Sequence, residues 1–105
     1  MDELVSMVKE MGYPSAYDHF AEGEAVAPPF ICYLASRSDN FSADGIVWHK
    51  AAVIGLELYT DKKNLAAEAK VESVLETHGF FWNRSETWIE SEKLYEVLYT
   101  FEMEV

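Results

Sequence analysis

Apolar residues recur along this chain with two different periods, and the switches between them mark out its elements. Leu4, Val5, Val8 and Met11 fall close to a 3.6-residue repeat, with Asp2 and Glu3 ahead of them, Lys9 near the end and Gly12 as a stop. Asp2 to Met11 therefore reads as a short amphipathic helix. Tyr13-Pro14 breaks it, weak alternation from Ala16 to Phe20 predicts a short edge strand, and Glu22 to Ala27 reads as a loop. Pro28-Pro29 hold the backbone extended and lead into Phe30 to Leu34, whose near-continuous apolar run predicts a buried strand. The next stretch, ASRSDNFSADG from Ala35 to Gly45, is small and polar apart from Phe41 and carries an Asp44-Gly45 turn signal. It predicts a hairpin with an oversized tip of about ten residues, where two to five are usual.

The longest run of mutually consistent signals extends from Ile46 to His78. Trp48, Ala52, Ile54, Leu56 and Leu58 put an apolar stripe on one face of a strand, while Ala51 and Val53 leave the other half-apolar. That pattern predicts a central strand covered on both sides. Thr60 or Asp61 is positioned to cap the following helix, in which Val71, Val74, Leu75 and His78 share a face, and Gly79 terminates it. Lys62 and Lys63 then fall in the first helical turn, where the helix dipole disfavours cations by about 0.3 to 1 kcal/mol each. This predicts either a solvated, lightly strained helix end or a contact with an acidic partner.

Phe80 to Glu90 predicts a strand with Phe80, Trp82 and Trp88 on one face, Phe81 and Ile89 on the other, and a bulge within Asn83 to Glu86. Ser91-Glu92 turns the chain. Beyond Lys93 the alternation is clean: Tyr95, Val97, Tyr99, Phe101, Met103 and Val105 on a core face, Glu96, Thr100, Glu102 and Glu104 with Leu94 and Leu98 on the other. The expected fold is α+β, one domain over residues 1–105, in the order α-β-β-β-α-β-β. Its sheet is four- or five-stranded and mostly antiparallel, with both helices on one face.

Composition narrows the function classes. Half of the 105 residues are hydrophobic and 14% aromatic, enough for one rich core. No apolar run approaches the roughly 18 residues that span a bilayer, and Met-Asp-Glu-Leu is not a basic leader, so the expectation is no secretion and no membrane partner. Nineteen acids against eight bases give a net charge of -11, which repels phosphate and argues against an ordinary nucleic-acid-binding domain. The acids crowd the last twenty residues. The single cysteine, Cys32, lies in an apolar run and reads as a buried small hydrophobe. His19, His49 and His78 fall on three different elements without ligand spacing, and no phosphate loop, nucleophile elbow or Cys-His arrangement occurs. The reading is a non-enzyme with no cofactor, no metal and no catalytic residue.

Four segments carry a resemblance: HFAEGEAVAPPFICYL, DNFSADG, ELYTDKKN and ETHGFFWNRSETWIESEKLYEVLYTFEMEV. Together they cover nearly the whole chain and resemble a family of small head-tail joining proteins from prophages and tailed phages of Gram-positive bacteria. The chain is similar, more distantly, to tail terminator (tail-completion) proteins. The resemblance implies a small α/β fold that forms a ring, commonly a hexamer, from subunits often monomeric when free. That ring sits in the virion on the end of the tail tube, after assembly in the host cytoplasm. Its implied partners are the major tail tube protein and a head-completion or connector protein, with DNA passing through unbound.

Beside that implication, the residues suggest three surfaces. Arg37, Asp39, Asn40, Phe41 and Asp44 in the expected loop form one contact with a subunit or the tube. Lys62 and Lys63 form a second, against an acidic edge. Glu96, Glu102 and Glu104 are candidates for an acidic lumen. Alternatives are a neighbouring connector role, an acidic nucleic-acid mimic that blocks a basic partner, and a small-molecule or enzyme role with a pocket gathering His49, His78 or Tyr59.

Overall fold

In the computed structural model, residues 2–21, 23, 26–43 and 46–104 are described, and between 36 and 50 the description is of the backbone. The elements are α1 (Asp2–Met11), β1 (Ser15–Tyr17), β2 (Phe30–Ala43), β3 (Ile46–Thr60), α2 (Leu65–Thr77), β4 (Asn83–Ile89) and β5 (Leu94–Glu104). The strands form one sheet in the order β1-β2-β3-β5-β4. Every pairing is antiparallel except β1 with β2, which is parallel. The fold class and element order are those expected.

The core forms where three apolar faces meet. Leu4, Met7, Val8 and Met11 of α1, with Ala67, Val71, Val74 and Leu75 of α2, pack on Ile31, Ala52, Ile54, Leu56, Leu58, Val97, Tyr99, Phe101 and Met103. The β3–β5 register pairs Ala52 with Met103, Ile54 with Phe101, Leu56 with Tyr99 and Leu58 with Val97. Residues directly opposite share a face, so the period-2 patterns of both strands point the same way, toward the helices. Both helices cover this face, contributing their buried residues to one cluster, while on the other face of β3 Ala51 is buried and Val53, Glu57 and Tyr59 are half-buried. The opposite face is built from Glu57, Tyr59, Glu96, Leu98, Thr100 and Glu102 and carries no helix.

Several local expectations change. The first strand spans Ser15–Tyr17, shorter than Ala16 to Phe20. The expected loop between Ala35 and Gly45 is strand up to Ala43, paired with β3 out to Ala43 opposite Ile46, with register shifts at Ala35/Arg37 and Phe41/Ser42. Backbone pairing outweighed the small, polar composition because the partner strand supplies ladder positions on both sides of the two register shifts. The Asp44-Gly45 turn and part of the Glu22–Ala27 loop lie outside the described residues, as does Val105.

Helix α2 starts later than expected, with Asn64 as its cap in place of Thr60 or Asp61. The Ala67 N–H donates to Asn64 Oδ1 at 2.9 Å, and Thr60 is still in the sheet opposite Tyr95. Lys62 and Lys63 therefore precede the helix, and the dipole conflict does not arise. Phe80, Phe81 and Trp82 also precede β4, which is in continuous register with β5 from Asn83 to Ile89 and has no bulge. Phe80 packs on Phe101 and Trp82 on Tyr99, while Phe81 is 94% exposed.

Candidate functional site

Three parts of the surface bear on function: the end of the β2–β3 hairpin, the helix-free face of the sheet, and the ion-pair cluster beside α2. In the hairpin, β1 ends its pairing at Tyr33 and, among the described residues, β5 pairs no farther along β3 than Ala51. Residues 46–50 of β3 and the β2 residues opposite them continue as a two-stranded ribbon. Five residues rising about 3.3 Å each carry it roughly 16 Å past the body. Arg37, Asp39, Asn40 and Phe41 occupy β2 register positions opposite Val53, Ala51, Lys50 and His49; Asp44 lies outside the described residues.

On the helix-free face, Glu96, Glu102 and Glu104 stand opposite Tyr59, Val53 and Ala51, so the three acidic candidates share one face, as alternation requires. Glu102 and Glu104 are exposed and Glu96 is half-buried. The structure adds one residue that sequence reasoning missed, Glu57, and joins it to Tyr59, which was expected only as a pocket residue. The Tyr59 hydroxyl lies 2.7 Å from Glu57 Oε2 and 2.9 Å from Glu96 Oε2. Burial, and next the neighbouring Glu96 carboxyl, push Glu57 up to about 7, and burial beside the same two carboxyls raises the Tyr59 phenol. Glu-x-Tyr in an otherwise apolar strand was a visible break in the pattern, and it was the available signal.

Tyr59 also stacks on Phe30, with centroids 5.0 Å apart, and Phe20 meets Phe30 edge-on at 5.5 Å. An open cleft of about 310 Å³ lies here, lined by Asp18, His19, Phe20, Phe30, Cys32 and Tyr59 among others. Cys32 is buried, and burial with the nearby Glu57 charge pushes its thiol up to about 11. That is an inert thiol, because the nucleophile is the thiolate.

Lys63 finds its acid within its own chain. Its Nζ is 2.7 Å from Glu68 Oε2 and also contacts Glu86, while Arg84 bridges Glu68 and, at 3.0 Å, Glu86. Glu68 is 6% exposed, so two cations compensate one buried carboxylate. Lys63 is thus paired within the chain, whereas Lys62 is exposed. His78 sits between Glu3 and Glu10 of α1, at the helix end and away from Tyr59. Of the residues expected in a pocket, Tyr59 lines the described cleft and His78 does not, while the His49 side chain is outside the description. Among the described residues, no group of three or more His, Cys, Asp or Glu is arranged to hold a metal ion.

No family model matches this chain, and no curated protein matches it. Among solved structures, it shares its fold with a chain of the virion of a native gene transfer agent (GTA) particle, with a TM-score of 0.65. The match covers 94% of this chain and 83% of that one at 10% sequence identity. At that identity the common property is the fold.

Proposed function

We propose that this chain is a structural protein of a tailed-phage or phage-like virion, acting at the head-tail junction as a tail terminator. Copies close into a ring on the end of the tail tube, stop its growth and present a surface to the head-side connector. The observation that carries this reading is the fold shared with a virion chain over 94% of this chain and 83% of that one. Two features add support. The line of Glu96, Glu102 and Glu104 lies on a face that the helices leave uncovered, and a channel lined by such carboxylates repels DNA phosphate. The ribbon projects beyond the third strand on either side, and an isolated two-stranded ribbon is marginal in water, so it gains by docking on a neighbour or the tube.

Electron microscopy of particles made without the protein tests the role. Overlong tubes are expected; filled heads lacking tails would assign the chain to the connector position instead. Replacing residues 40–50 by Asn-Gly closes the hairpin across the facing pair Asp39 and Ala51. The shortened protein should remain folded and no longer cap tubes, whereas retained capping would remove the ribbon from the mechanism. Lysine at Glu102 and Glu104 should slow or trap DNA ejection, and normal infectivity would exclude those two from the channel.

A further inference from the structure

A phenol has one hydrogen, yet the Tyr59 oxygen lies within hydrogen-bond distance of two carboxylate oxygens, one on its own strand and one on the neighbouring strand. The single hydrogen can make only one of these a full two-centre bond, so both are fully made when one carboxyl carries a proton and donates back to the phenol oxygen. We propose that Glu57, Tyr59 and Glu96 form a proton-operated clasp that ties β3 to β5 on the helix-free face, closed while the three share a carboxyl proton and released when it leaves.

The surroundings favour the closed, singly protonated state near neutrality. The titratable groups around the clasp are Asp18 after β1, Cys32 on β2 opposite Glu57, and Glu92 in the β4–β5 turn at the cleft margin. His19 lines the same cleft but is exposed and bonded to Asp18 at 3.0 Å. From β4, Thr87 stands opposite Glu96 and does not titrate. Arg37 occupies the position opposite Val53, four residues along β3 from Glu57. Like charges disfavour ionising both carboxyls, in agreement with the elevated position of Glu57. Once both ionise, Tyr59 can donate to one, and the other is left repelled and unbridged. Because Tyr59 stacks on Phe30, release also alters the aromatic wall of the cleft. The clasp stands on its own geometry and holds whether or not the chain caps tails.

Carbon-detected NMR of the glutamate carboxyls in the wild-type protein, titrated from pH 4 to 9, tests it without any variant. Glu57 is expected to titrate near pH 7, and the Tyr59 ring resonances to move with the same midpoint. In Glu57→Gln the Tyr59 step should vanish, since the amide supplies a permanent donor; in Glu96→Gln the Glu57 midpoint should fall by about one unit or more as the like charge is removed. Titration of Glu57 with the ordinary carboxylates below pH 5 would overturn the proposal, as would Tyr59 resonances that stay still through the Glu57 midpoint.

Discussion

Single side chains set how this protein responds to pH and to the loss of an ion pair. Glu57 is raised to about 7 from 4.5, so the folded state holds a proton that the unfolded chain has already released. Its stabilisation is full below about pH 4.5, declines as pH rises, and is gone above about 7. His78 is raised by Glu10 and, secondarily, by Glu3, and its contribution is likewise lost as pH rises through its folded value. Glu86 acts in the opposite sense: Lys63, and then Arg84, lower it, and its share disappears as pH falls through the acid range. Urea melts across pH 5 to 8 should therefore show stability declining with pH, with a shallower slope in His78→Gln and in Glu57→Gln. At the buried end of the network, Arg84→Met leaves Glu68 with Lys63 alone. The expected cost is about 1 to 3 kcal/mol by equilibrium denaturation, exceeding that of Lys63→Met because Lys63 is the more exposed partner.

At the scale of elements, position in the sheet decides how much composition matters. Strand β3 lies third of five and its apolar alternation agrees with its burial; β4 is an edge and six of its seven residues are exposed despite Trp88. Truncating a central residue such as Leu56 to Ala should cost about 2 to 5 kcal/mol. The α2 start rests on one side chain, and Asn64→Ala should lower stability by about 1 kcal/mol, measurable as a lower urea midpoint at unchanged slope. The long β2–β3 hairpin is the element that composition concealed. Its residues from Ser36 to Ala43 are small or polar apart from Phe41, which reads as loop in isolation, yet each side of a ladder is stabilised by the strand opposite.

In the ring proposed above, charge sets the sign of the salt dependence. Each copy carries -11, so bringing copies together opposes like charges and screening should favour assembly. Raising salt from roughly 10 to 100 mM shortens the screening length from about 30 to 10 Å. Sedimentation velocity is expected to show stronger self-association at the higher salt. Weakening by salt would instead point to an attractive contact of the kind once expected for Lys62 and Lys63. Lys63 is already compensated inside the chain, which is the physical reason for expecting the repulsive sign.

Periodicity alone determined the class of fold, the ends of α1, the core faces of β3 and β5, and the shared face of Glu96, Glu102 and Glu104, because local alternation dictates which side chains must leave water. Tertiary structure alone decided three things: that the polar stretch after Ala35 pairs as strand, that Lys63 is satisfied by Glu68 and Glu86, and that Tyr59 joins Glu57 to a carboxyl 37 residues away in sequence. Each depends on which elements come to lie side by side, which the alternation along a single segment does not encode.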